Sequence, residues 1–147
     1  NANYSIKIMN TLKFIIIFLG IFFVTFVNPI EIYKTPTCGC CNKYADFLES
    51  KKFKINRVDL IKLKKVKKKY KIPYEMQSCH TTVFKNYFVE GHVPLKAINK
   101  LLDEMPDIDG ISLPGMPIGT PGMPGKKKSP FIIYQIKNGE YKEFITI

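Results

Sequence analysis

Apolar positions recur along this chain with two periods, and the period changes where the elements change. The short apolar run at residues 30–34 reads as a first strand. Over residues 38–50 the spacing becomes helical, with Tyr44, Phe47 and Leu48 on one face. Residues 53–59 alternate apolar and polar, the pattern of a half-buried strand. Leu60, Leu63, Val66 and Tyr70 return to helical spacing in a second helix over 60–70, which Pro73 ends. Residues 78–84 and 87–90 are short strands joined at Lys85-Asn86, with Asn where positive φ is often required. Gly91-His92-Val93-Pro94 leads into a last helix running to about Met105, with Pro94 in its first turn.

The composition then shifts. Residues 109–129 contain Pro114-Gly115-Met116-Pro117 and Pro121-Gly122-Met123-Pro124, the same four letters twice with methionine in the same place. Such a stretch reads as neither helix nor interior strand, and a loop of this length suggests a function. Residues 131–136 and 141–147 close the chain as a β-hairpin around Lys137-Asn138-Gly139-Glu140, where Asn-Gly is a strong turn signal. The order β-α-β-α-β-β-α predicts an α/β fold, a small mixed sheet flanked by helices. At 147 residues there is room for one such domain.

Part of the 46% apolar content lies outside that core, in an almost wholly apolar block at 14–27. Met9 reads as the natural start, and Met9-Asn10-Thr11-Leu12-Lys13 supplies a short basic leader to the block. The block is shorter than the ~20 residues of a membrane span. Residues 1–28 are therefore expected to form a signal peptide or a membrane anchor, and 29–147 the exported domain. The sequence Thr25-Phe26-Val27-Asn28 lacks the small residues of a good cleavage site, which leaves both readings open. Lysines ahead of the block keep the N-terminus in the cytoplasm and send the domain across.

The formal net charge of +11 is concentrated in Lys62, Lys64, Lys65, Lys67, Lys68, Lys69 and Lys71, with a second cluster at Lys126 to Lys128. A solvated helix face accounts for the first cluster; contact with an anionic membrane surface or an acidic partner is the alternative. The aromatics do not interleave with the lysines and no binding motif is present, so nucleic acid is not expected.

Chemistry gathers at Thr35-Pro36-Thr37-Cys38-Gly39-Cys40-Cys41, which holds three of the chain's 4 cysteines; the other, Cys79, precedes His80. A strand that turns into a helix puts those thiols at the helix N-terminus, where free N–H groups and the dipole favour negative charge. Cys38 and Cys41 form a C-x-x-C pair sharing a helix face, with Cys40 directed elsewhere. Opening the first helix of a βαβ unit, that pair is the thioredoxin-like redox signal. A structural disulfide or half of a zinc knuckle is the plainer reading, although no second C-x-x-C or spaced His pair accompanies it. In a thioredoxin-like fold the segment entering the third strand lies against the C-x-x-C turn, where thioredoxins carry a cis-proline. Here Gln77-Ser78-Cys79-His80-Thr81 takes that place, which would bring four sulfurs to one point.

Four thiolates with the thioethers of Met116 and Met123 nearby form a soft donor set that favours Cu(I), although zinc tolerates four sulfurs. The methionines alternatively pack the loop onto the domain. On a regular strand Cys79 and His80 face opposite ways, so His80 is a ligand only if the strand begins with a bulge. Otherwise it supports the site from outside or is a satisfied core histidine. His92, at the mouth of the last helix, caps, packs or serves as an outer ligand.

With these residues in view, the chain resembles the CopG-like proteins, small exported copper-binding proteins of bacterial metal-resistance loci. The resemblance rests on 33–41, on Gln77-Ser78-Cys79-His80-Thr81, on Glu90-Gly91-His92-Val93-Pro94, and on Leu113-Pro114-Gly115-Met116-Pro117 with Pro121-Gly122-Met123. It implies a thioredoxin-like fold, a periplasmic location, and copper bound by Cys38, Cys40, Cys41 and Cys79. It also implies redox chemistry at that copper site and periplasmic copper-handling partners. The weak cleavage site and the heavier lysine helix depart from the family pattern; the second is expected to leave the metal site untouched. The competing reading is a thiol–disulfide oxidoreductase with Cys38 as nucleophile, Cys41 as resolving thiol, and Cys40 with Cys79 as a second pair.

Overall fold

The computed structural model describes residues 29–147; the signal segment or anchor expected at 1–28 lies outside the described residues. Strand β1 (Ile30–Lys34) leads through a tight turn to helix α1 (Gly39–Ser50) and back to β2 (Ile55–Asp59), which pairs parallel to β1. Helix α2 (Lys64–Lys69) and a short 3-10 turn at Tyr74–Met76 precede β3 (Thr81–Phe84) and β4 (Tyr87–Glu90). Helix α3 (Leu95–Glu104) crosses to β5 (Gly110–Ser112), and β6 (Ile132–Lys137) and β7 (Glu140–Thr146) end the chain. The strands form one mixed sheet in the order β2-β1-β3-β4-β5-β6-β7, parallel at β1/β2 and β4/β5 and antiparallel elsewhere.

Periodicity dictates which faces are dry. Helix α1 buries Cys41, Tyr44, Ala45 and Leu48, the i, i+3, i+4, i+7 stripe of an amphipathic helix. Tyr44, Ala45 and Leu48 join Ala97, Ile98 and Leu101 of α3 and Ile32, Val89, Ile111 and Ile133 of the sheet in one core, so α1 and α3 share a sheet face. The opposite face holds a smaller cluster of Ile72, Met76, Phe88 and Ile136. Adjacent strand residues Phe88 and Val89 fall in different clusters, as strand alternation requires.

Several expectations shift. The lysine-rich helix is shorter than 60–70, and Lys67 within it is buried rather than solvated. The strand expected over 78–84 starts only at Thr81, and that over 53–59 starts at Ile55. In the β3–β4 turn the positive φ falls on Lys85 (51°), not on Asn86. Residues 110–112, read as part of a loop, are an interior strand between β4 and β6. Their signal was short and was overshadowed by the Pro/Gly stretch that follows. At the C-terminal turn Asn138 and Gly139 both take positive φ (52° and 86°), the geometry that pair was expected to provide.

Gly110 shows how tightly β5 is held. A Cβ there would meet the Phe88 carbonyl oxygen at 2.3 Å and the Phe88 ring at 2.5 Å. Gly110→Ala is expected to destabilise the domain by about 1–3 kcal/mol, read as a lowered urea midpoint at unchanged m-value. An unchanged midpoint would mean that β5 is loosely paired.

Candidate metal centre

The turn after β1 is closed by the Cys38 N–H donating to the Thr35 carbonyl at 3.1 Å. Cys38 is the N-cap of α1, with extended φ and ψ (−75°, 90°), while Cys40 and Cys41 lie in its first turn. Cys38 and Cys41 are joined by a disulfide with Cα atoms 5.3 Å apart. Cys40 was expected to point away, but its Sγ lies 3.6 Å from that of Cys38. Helical spacing does not hold across an N-cap, because Cys38 stands outside the helix. Cys41 Sγ in turn lies 3.7 Å from the Cys79 carbonyl oxygen. The sulfurs of Cys38, Cys40, Cys41 and Cys79 all fall within 4.8 Å of one another.

A second donor group overlaps the first. The ligand atoms of Cys79, His80 and His92 also lie within 4.8 Å of one another, with Cys79 Sγ 3.3 Å from His80 Nδ1 and 3.2 Å from His92 Nε2. Strand alternation was expected to separate Cys79 from His80. It does not apply, since both precede β3. His92 donates Nδ1–H to the Pro121 carbonyl at 2.8 Å, which leaves Nε2 as a lone pair facing the Cys79 thiol. The thiol can donate to that lone pair and accept from His80 Nδ1–H. His80 Nε2 is then a bare lone pair, fully buried and without a hydrogen-bond partner among the described residues.

Burial sets the charges. Desolvation, followed by the neighbouring His92 and Lys67, holds His80 well below the usual imidazole range, and burial lowers His92 against the pull of its bond to Pro121. Both rings are neutral, the form that binds metal. Burial, with Cys40 nearby, pushes the Cys79 thiol up to about 12, so without metal it keeps its proton. Tyr44 floors the site: its ring lies 4.7 Å from His80 and 5.4 Å from His92, and its hydroxyl donates to the Val93 carbonyl at 2.9 Å.

The Pro-Gly-Met loop is tied to the site at both of its repeats. Ser78 Oγ donates to the Gly115 carbonyl in the first copy, and His92 donates to Pro121 in the second. Gly122, at φ 83°, leaves no room for a Cβ, which would meet the Cys40 carbonyl oxygen at 2.9 Å and the Tyr44 N at 2.8 Å. Met123 is half-buried in this seated turn. Met116 is exposed and shares an open cleft of about 570 Å³ with Tyr74, Ser78, Cys79 and Gly115.

Two participants escaped the sequence reading. Glu90 is fully buried and accepts from Lys67 Nζ, from the Ser78 backbone N–H and from the Thr81 hydroxyl. Burial pushes its carboxyl up against the pull of Lys67. Removing one partner of such a buried pair costs about 3–5 kcal/mol. The available signal was a lone carboxylate ending the apolar run Tyr87-Phe88-Val89-Glu90.

The donor set fits a soft, thiophilic metal: four sulfurs and two neutral imidazoles, one of them with a ring nitrogen that has no partner among the described residues, and no carboxylate in either ligand group. Comparison with known proteins gives the same direction. A family profile described as "Protein of unknown function, DUF411" matches residues 76–123. Two solved structures of copper resistance protein CopG, form 1 and form 2, are each 35% identical to this chain at a TM-score of 0.74. The first match covers 81% of this chain and 96% of that one, the second 82% and 99%. No curated protein matches the chain.

The raised Cys79 thiol has a direct consequence in the metal-free, disulfide form. Near pH 8 its alkylation is expected to be roughly fiftyfold slower than that of an exposed thiol, and to rise about tenfold per pH unit to pH 10. A rate that levels off below pH 10 would contradict this assignment.

Proposed function

This chain belongs to the family of the copper resistance protein CopG, and from that premise we propose that it is an exported copper-binding protein for copper resistance and handling. In this reading Cys38, Cys40, Cys41 and Cys79 hold several Cu(I) ions as bridging thiolates in a thioredoxin-like domain. His80, His92, Met116 and Met123 are candidate additional ligands. The observation that carries it is the meeting of four sulfurs from two distant segments within 4.8 Å. Four thiolates so close carry more negative charge than one Cu(I) neutralises, so their stable state shares several cations. A periplasmic location, with or without an anchor at 1–28, follows from the lysine-preceded apolar block and suits the disulfide.

Redox activity is part of the proposal. Opening the Cys38–Cys41 disulfide takes up two electrons and two protons and yields two thiols, whose deprotonation completes the four-thiolate set. In the downhill direction two Cu(II) take the two electrons of the reduced Cys38/Cys41 pair, giving two Cu(I), the disulfide and two protons, and an external dithiol reductant then reopens the disulfide to restore the four-thiolate set. Cargo binding also drives the Cys79 proton off, since the thiolate is the ligand.

The same disulfide supports a second reading, a thiol–disulfide oxidoreductase with Cys38 as nucleophile and Cys41 as resolving thiol. Against it, the segment that would meet a peptide substrate carries Cys79 and His80, directed at the helix rather than at a partner.

The test is an anaerobic Cu(I) titration of the reduced full chain against a strong chelating competitor, with Cys79→Ser alongside. The expected outcome is more than one Cu(I) bound tightly, with affinity lowered at least about tenfold by the substitution. Weak binding indifferent to Cys79→Ser would defeat the copper reading and leave the oxidoreductase one.

A further inference from the structure

One residue of the lysine-rich helix behaves unlike its neighbours. Lys67 is buried, and its Nζ donates to Oε1 of the fully buried Glu90. That oxygen also accepts the Ser78 backbone N–H at 2.6 Å, and Oε2 accepts the Thr81 hydroxyl at 2.6 Å. The two contacts bracket Cys79-His80, one before it and one after. Thr81 and Glu90 are cross-strand partners in the β3/β4 ladder, so the carboxylate is delivered by sheet register rather than by a loop.

This arrangement has a geometric effect on the ligands. If β3 continued back through Cys79, alternation would send the thiol and the imidazole to opposite faces. The last backbone bond of the β3/β4 ladder on this side runs from the Gly91 N–H to the His80 carbonyl, and beyond it the Ser78 N–H bonds to a carboxylate instead of to a strand neighbour. Cys79 Sγ and His80 Nδ1 then come within 3.3 Å. A neutral acceptor would not hold three donors as well, since bonds to an ionised carboxylate are the stronger kind. A carboxylate buried here requires a countercharge, and among the described residues Lys67 supplies it.

We propose that Glu90 and Lys67 are positioning residues of the metal centre: the buried pair anchors Ser78 and Thr81 on either side and holds 78–80 outside strand β3 so that Cys79 and His80 converge. The purpose assigned to this clamp rests on the copper reading, whereas the geometry it imposes belongs to the metal-free protein and is tested there. The lysine helix is thereby coupled to the site it was expected to leave untouched.

The experiment compares the full chain with Glu90→Gln, Lys67→Met and the exposed-lysine control Lys68→Met, all metal-free with the Cys38–Cys41 disulfide intact. Two local signals are read: the nuclear Overhauser contact between the Cys79 β-protons and the His80 ring, and the alkylation rates of Cys79 and Cys40. The expected result is loss of that contact in Glu90→Gln and a rise of at least about tenfold in the Cys79 rate, with Cys40 and Lys68→Met unchanged. Lys67→Met retains the carboxylate; it is expected to shift both signals the same way and serves alone if Glu90→Gln does not fold. An intact contact with only a lowered melting temperature, or equal acceleration of both thiols, would reduce the pair to a stabilising one and overturn the proposal. Cu(I) affinity is then measured on the same variants. A chain that binds no copper yet shows the local signals would keep the clamp and defeat the copper reading, so the two failures are distinct.

Discussion

The antiparallel pairing of β1 with β3 is the constraint on which the rest of the site depends. Tyr33 faces Thr81 across that ladder, so the turn leaving β1 and the segment entering β3 meet at one end of the sheet. Cys38 to Cys41 lie just past one strand and Cys79-His80 just before the other. No local preference could bring these groups together, because the residues that touch are separated by 38 positions. Sheet register does it, and register is fixed by the alternation that buries Ile32 with Phe84 and Val89 in the main core.

Once the two segments meet, the low dielectric decides their chemistry. The imidazoles are neutral and Cys79 holds its proton with the same leading cause, that a charge there would be poorly solvated. Such a pocket is a poor place for a bare thiolate and a good one for a thiolate neutralised by a soft cation. The exception is Glu90, where Lys67 and two hydrogen-bond donors compensate a buried carboxylate. The methionine loop closes over this pocket through Gly115 and Pro121, each accepting from a side chain of the site.

Much of this was legible in the sequence, and the parts that were not have identifiable causes. Apolar runs and their breaks located β1, α1, β4 and α3 almost to the residue: α1 and α3 carry one-sided apolar stripes, while β4 is a short apolar run, buried on both faces, that stops at Gly91. Strand β5 was missed because Gly110-Ile111-Ser112 is too short to show a period. The cysteine segments were recognisable as a pair from their place in a βαβ unit. The directions of individual side chains were not: Cys40 and His80 were assigned by ideal helix and strand rules, and both sit where those rules stop. Lys67 was hidden by its own neighbours. A lysine among lysines gives no sign of being the buried one, since its partner Glu90 lies on another element.

The central claim, a shared multinuclear Cu(I) site spanning both cysteine segments, is tested most directly by X-ray absorption at the copper edge of the reduced, Cu(I)-loaded chain. The account predicts a sulfur-dominated shell together with copper–copper scattering from neighbouring ions bridged by thiolate. Isolated copper with no copper neighbour, or a shell of nitrogen and oxygen only, would contradict it.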